Sequence, residues 1–187
     1  MPVVSIDGKT IGQSVAINYA IAAEVGLAGA NAIETAHILS IGEHIKEMMK
    51  NFRDLVPYGT EPTEEKLSTW FDTGATDATG TADRAGYATR YAKWWLGRIE
   101  NSLTGNGFAV GDSLTLADVL LYNTFAEYLR DEEVKADFAA YRKFPFGSKV
   151  RTDAILANYP KISASIAAVA NHPNAQRWFA TRGVQEF

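Results

Sequence analysis

Apolar residues alternate with polar ones at the start of the chain and then settle into helical spacing for most of its length. Val3, Val4 and Ile6 precede Asp7-Gly8, and a second short run, Lys9 to Ile11, follows. Asp-Gly between apolar runs predicts a hairpin, because both central turn positions need positive φ. Val15, Ile17, Ile21 and Val25 then predict a helix over about residues 15–25, with Ser14 as its N-cap and Gly26 as its stop. After the short linker 27–30, an apolar face through Ile33, Ile38, Ile41, Ile45, Met48, Met49 and Phe52 predicts a long helix over about 31–55, stopped by Pro57.

Residues 58–83 are polar and read as connecting chain, with one short helix near 64–71 and a flexible loop around 73–83. A second long helix is predicted over about 82–103, ending before Gly105-Asn106-Gly107. The clearest helix start is Leu114-Thr115-Leu116-Ala117-Asp118-Val119. There Thr115 and Asp118 are spaced as a capping box, and Leu114 and Val119 as its hydrophobic staple. The helix that follows is apolar on most sides (Leu116, Val119, Leu120, Leu121, Phe125, Leu129), so it belongs at the centre of a bundle. Two more helices are expected at about 159–171 and 174–181, divided by His172-Pro173. The pattern is mainly α: a small β-hairpin plus helix, then an all-helical body.

Composition narrows the partners. The chain has 187 residues, of which 47% are hydrophobic and 21% charged, with net charge −4 and pI near 5.4. This is an ordinary globular balance that disfavours nucleic acid or an anionic membrane as the main partner. No run approaches the roughly 18 apolar residues of a membrane span, and the start does not read as a signal peptide, so a cytoplasmic setting is expected. With no cysteine there is no disulfide, thiolate metal site or Cys nucleophile. His37 and His44 lie two turns apart on one helix, too far to chelate as a pair, so no metal is expected.

In this order and spacing, five local patterns resemble the cytosolic glutathione S-transferases, most closely the sigma-like and related alpha, mu and pi classes. They are Met1-Pro2-Val3 with Asp7-Gly8; Ile11 through Ile17 around Gln13-Ser14; Gly26-Leu27-Ala28-Gly29; Gly111 through Asp118; and Tyr159-Pro160 with His172-Pro173. The resemblance implies a partial thioredoxin-like, glutathione-binding unit at 1–27 and an all-α C-terminal domain at 28–187, usually in a homodimer. It implies that Pro2 is a cis-proline and that the Val3 backbone pairs with the cysteinyl part of glutathione. Gln13 and Ser14 would hold the γ-glutamyl carboxylate. An acidic residue crossing the dimer to the γ-glutamyl ammonium is represented by Glu43, where the family usually has Asp. Met48, Phe52 and Tyr91 are the expected lining of the pocket for a hydrophobic electrophile, although each also suits core packing.

The family pattern begins with a strand–helix–strand that carries the Tyr, Ser or Cys assisting glutathione ionisation, and no residue in positions 1–14 takes that role. The resemblance therefore implies an enzyme, conjugating glutathione to electrophiles, only where that part is supplied. The alternative is a non-catalytic glutathione-binding, structural or protein-interaction relative. An unpaired edge on the first strand predicts poor solubility as a monomer, or an oligomer that covers the edge.

Overall fold

A computed structural model describes residues 3–74, 90–128 and 144–184. Two antiparallel strands, β1 (Val3–Ile6) and β2 (Lys9–Gly12), lead into α1 (Ser14–Glu24). The helical body follows as α2 (Ala32–Leu55), α3 (Glu64–Asp72), α4 (Ala92–Ser102), α5 (Leu116–Phe125), α6 (Lys149–Leu156), α7 (Pro160–Ala170) and α8 (Pro173–Thr181). The expected beginning of the α4 helix near residue 82, the loop tip around 75–83, Leu129 and Pro2 lie outside the described residues.

Each boundary has a local cause. Asp7 and Gly8 sit at φ 51° and 75°, the left-handed pair that a two-residue hairpin turn requires. At the start of α2 the Asn31 side chain accepts from the Ile33 and Glu34 amides, both at 3.0 Å, and α2 ends two residues before Pro57. Thr63 caps α3. At α7 the Glu100 carboxylate reaches from α4 and accepts from the Lys161 and Ile162 amides at 2.9 and 3.0 Å, a cap delivered from another helix.

The predicted box at α5 forms around a buried carboxylate. Asp118 is fully buried. Its Oδ2 accepts from the Thr115 amide at 2.8 Å and the Thr115 hydroxyl at 2.9 Å. Its Oδ1 accepts from the Ala109 amide and the Ser165 hydroxyl of α7, both at 2.7 Å. One side chain thus fastens the start of α5 to the preceding loop and to α7. The Leu116 amide, the first of the helix, donates to Leu27 O at 2.8 Å and ties the linker after α1 to the same point.

The core lies between α2, α4, α5 and α7, where Ile38, Ile41, Met48, Trp95, Leu96, Ile99, Leu121 and Ile162 are fully buried. A second cluster centres on Phe146, whose ring lies 5.1 Å from Phe52, 5.3 Å from Trp70 and 5.7 Å from Phe125. Phe146 occupies a 3-10 turn, Pro145–Gly147, that leads into α6. Neither that turn nor α6 was predicted. Pro145 and Gly147 read as loop chemistry, and Val150 is exposed, so no apolar stripe marks the helix. Its start is instead fixed by the Ser148 cap and by the Thr152 hydroxyl donating to Pro145 O at 3.1 Å.

His44 on α2 couples this body to pH. Its Nε2 accepts from Arg98 Nε–H at 2.9 Å, and its ring lies 6.3 Å from that of Trp95. Burial first, and the Arg98 charge second, hold its pKa below the ordinary 6.5, with Glu47 opposing. The unfolded chain therefore takes up this proton before the folded one does. His44 adds no pH dependence well above pH 6.5, and stability falls as pH drops from about 6.5 toward the lower folded value. Urea denaturation at about pH 7.5 and about pH 5.5 should show this loss reduced in His44→Asn.

Candidate functional site

The hairpin register pairs Val3 with Gly12, Val4 with Ile11, Ser5 with Thr10 and Ile6 with Lys9. A two-residue loop closes on a hydrogen-bonded pair, so Ile6 and Val4 direct their backbone groups at β2. The N–H and C=O of Val3 and Ser5 then point to the other edge, which has no further strand among the described residues. Val3 is well exposed there. Val3 lies opposite Gly12, and Gly12 directly precedes Gln13 and Ser14.

Gln13, not Ser14, holds the N-cap position of α1, with φ 70° and ψ 122°. A residue with a Cβ rarely adopts positive φ, and such strain recurs where backbone is aimed at a ligand. Ser14 is instead the first helical residue. The first bond of the helix runs from the Ile17 amide to Gln13 O at 3.0 Å. The amides of Ser14, Val15 and Ala16 thus have no intrahelical acceptor. The Gln13 side chain makes no capping hydrogen bond here, and no acidic residue lies in the first turn of the helix. Free amides and the positive end of the helix dipole together favour a carboxylate.

From Ser14 a groove of about 990 Å³ opens between α1, α2, α5 and α8. On α2 it is lined by Ile38, Leu39, Gly42, Ile45, Lys46, Met49 and Arg53, one stripe at helical spacing. Its other walls include Leu120 and Tyr122 of α5, Phe146, and Trp178 of α8. The Tyr122 ring stacks 5.3 Å from Phe179. Burial, then Glu127, pushes the Tyr122 hydroxyl up to about 12. It stays protonated at neutral pH and cannot serve as a base. Glu127 also pairs with the nearly buried Arg182.

The residues singled out in the sequence are distributed unevenly around this site. Ser14 lines the groove, whereas Val3 and Gln13 are not among its lining; Pro2 lies outside the described residues. Glu43 is exposed on α2 and pairs with Lys46 at 3.1 Å; Lys46 lines the groove, and Glu43 is not among its lining. Met48 is fully buried in the core. Phe52 and Tyr91 pack edge-on against Trp70 at 5.1 and 6.4 Å. None of these three lines the groove. Met49, one residue on and about 100° around the helix, does so instead, with Phe146. The α2 stripe was legible as Gly42, Lys46, Met49 and Arg53 at steps of four and three. The opposite wall at α8 carries no local signal. Among the described residues, no three His, Cys, Asp or Glu side chains are grouped to hold a metal.

The chain is thus a helical body with a buried capping carboxylate, led by a hairpin and a helix whose first residue lines a groove. Residues 63–182, well over half of the chain, match the family model for the glutathione S-transferase C-terminal domain. The chain belongs to the glutathione S-transferase family. It is 27% identical over its whole length to a probable glutathione S-transferase 7 from Caenorhabditis elegans, covering 76% of that protein. It is 31% identical over 154 residues to probable glutathione S-transferase 6 of the same organism, 76% of this chain and 66% of the relative. Among solved structures, the monomeric Na-GST-3 of the hookworm Necator americanus superposes on the whole chain with TM-score 0.65 at 26% identity, over 76% of its own length. A Nu-class enzyme from Haemonchus contortus shares the fold, with TM-score 0.60 at 23% identity.

Proposed function

We propose that this chain binds glutathione at the junction of β1 and α1 and presents it to the groove for conjugation with a hydrophobic electrophile. The observation that supports this reading is the N-terminus of α1, whose first amides lack an intrahelical acceptor and whose Ser14 lines the groove. In this reading the γ-glutamyl carboxylate accepts from the free α1 amides and the Ser14 hydroxyl, with Gln13 beside it. The cysteinyl N–H and C=O pair with C=O and N–H of Val3, as a short added strand. The thiolate then attacks the electrophilic carbon in the groove: a C–S bond forms, and the electron pair passes to the leaving group or, in an addition, to the atom that takes up a proton.

Ionising the thiol needs a hydrogen-bond donor that lowers its pKa, and this reading assigns that role to no residue in positions 1–14. A homodimer with Glu43 reaching the partner's γ-glutamyl ammonium, a cytoplasmic setting and a role in detoxification complete the proposal. A binding-only relative is the second reading. It is favoured by the commitment of Tyr122, a phenol lining the groove, to Glu127.

Isothermal titration of the chain with glutathione tests the binding step. Saturable binding is expected, about tenfold weaker in Ser14→Ala, for the loss of one hydrogen bond to a charged group. Absence of binding by a folded chain would overturn the proposal. A conjugation assay on the same sample should show no turnover above the uncatalysed rate; turnover well above it would show that these 187 residues supply the donor themselves.

A further inference from the structure

The loop between α4 and α5 is organised around one carboxamide. Asn106 Nδ2 donates to Gly111 O at 2.8 Å and to the Asp112 carboxylate at 2.7 Å. Its Oδ1 accepts from the Phe108 amide at 3.3 Å and lies 3.1 Å from the Thr104 hydroxyl. The Thr104 amide closes the loop onto Ala109 O at 3.2 Å, and the Ala109 amide donates to the buried Asp118. Asn106 itself is exposed. Glycine follows it, and 106–107 is the only Asn-Gly step in the sequence.

In such a step the glycine nitrogen can add to the asparagine Cγ and close a five-membered ring, because no Cβ on the second residue hinders the approach. Gly107 has φ 101°, and the space where a Cβ would stand is open to 4 Å. Its N–H donates no hydrogen bond among the described residues. The groups near Asn106 Oδ1 are an amide and a hydroxyl, placed where negative charge develops as Cγ is attacked. Asn101-Ser102, by contrast, lies within α4, where the backbone is held in helical geometry.

We propose that Asn106 is a site of spontaneous deamidation in the folded chain, and that its conversion is a one-way release of the loop leading into α5. The Gly107 nitrogen gives its proton to water, bonds to Asn106 Cγ and expels the carboxamide nitrogen, which leaves as ammonia. Water then opens the succinimide at either carbonyl, giving aspartate or isoaspartate. One water is consumed and no oxidant or cofactor takes part. The product has an anionic oxygen where Nδ2 donated, so two hydrogen bonds are lost and a carboxylate faces the Gly111 carbonyl and Asp112. Isoaspartate also lengthens the main chain inside the turn that the Thr104–Ala109 bond closes. None of this depends on glutathione.

The test ages the purified chain at mildly alkaline pH and follows it by peptide mapping with fragment-ion sequencing. The mass gain of exchanging NH₂ for OH should appear at Asn106 about tenfold ahead of Asn101. The urea midpoint should fall in step with conversion, and Asn106→Asp should show the lowered midpoint from the start. Asn106→Gln, whose longer side chain closes its ring slowly, should gain no mass over the same period. The neutral Asn106→Ala should lie between Asn106→Asp and the parent in stability. Conversion confined to the urea-unfolded chain, or spread evenly over the asparagines, would overturn the site. A converted chain with the parent's midpoint would overturn the release, as would an Asn106→Asp variant no less stable than Asn106→Ala.

Discussion

Asp118→Ala is expected to lower the stability of the chain by about 4 kcal/mol, among the largest effects of any single side chain. The carboxylate accepts from the Thr115 amide and hydroxyl, the Ala109 amide and the Ser165 hydroxyl, all within 2.9 Å, in a fully buried position. Truncation strands four donors where water does not replace the acceptor. A buried donor without a partner costs roughly 1–3 kcal/mol, and relaxation recovers part of the sum. Asp118→Asn keeps one carbonyl oxygen but turns an NH₂ toward donors, so about half of the loss should remain. Urea denaturation at neutral pH measures both: the midpoint should fall with little change in slope. A loss near 1 kcal/mol for the alanine variant would mean that the network contributes little beyond an ordinary cap.

Phe146→Ala should cost about 3 to 4 kcal/mol, the range for deleting a buried aromatic ring. Its ring touches Phe52, Trp70, Phe71 and Phe125 and joins α2, α3 and α5 to the segment before α6. The backbone adds a second contribution, since Phe146 holds φ 50°. Any residue with a Cβ bears a penalty there of about 1 kcal/mol, which glycine avoids. Phe146→Gly should thus be no less stable than Phe146→Ala, the reverse of the usual order. Thermal midpoints report the ordering, at about 2–4 °C per kcal/mol for a chain of this size. An alanine variant clearly more stable than the glycine variant would show that the left-handed backbone is not maintained under strain.

What could be read from the sequence was what the chain specifies locally. The Asp7-Gly8 turn, the Asn31 and Pro57 limits of α2 and the Thr115–Asp118 box each depend on residues within a few positions of one another. What escaped was built from distant pieces. Asp118 binds Ser165, 47 positions away, and no spacing rule announces that. Ser14 looked like the cap of α1, but the strained backbone of Gln13 moves the cap position back by one. Met48 and Met49 are equivalent in composition; only the rotation of α2 against α4 and α5 sends one into the core and the other into the groove. Trp178 and Arg182 meet the groove because α8 folds back across α5, which a periodicity of one helix cannot reveal.

The bond from the Leu116 amide to Leu27 O places the end of α1 and the core on one fixture. The linker carbonyl is held by the same turn that Asp118 organises, so the aim of α1 inherits its tolerance from the box. A defect at the box therefore does not stay a matter of melting alone. In molecules that remain folded it would slacken the linker and let Ser14 wander relative to the groove. Substitutions deep in the bundle, touching no ligand, would then surface as altered affinity at the far end of the chain.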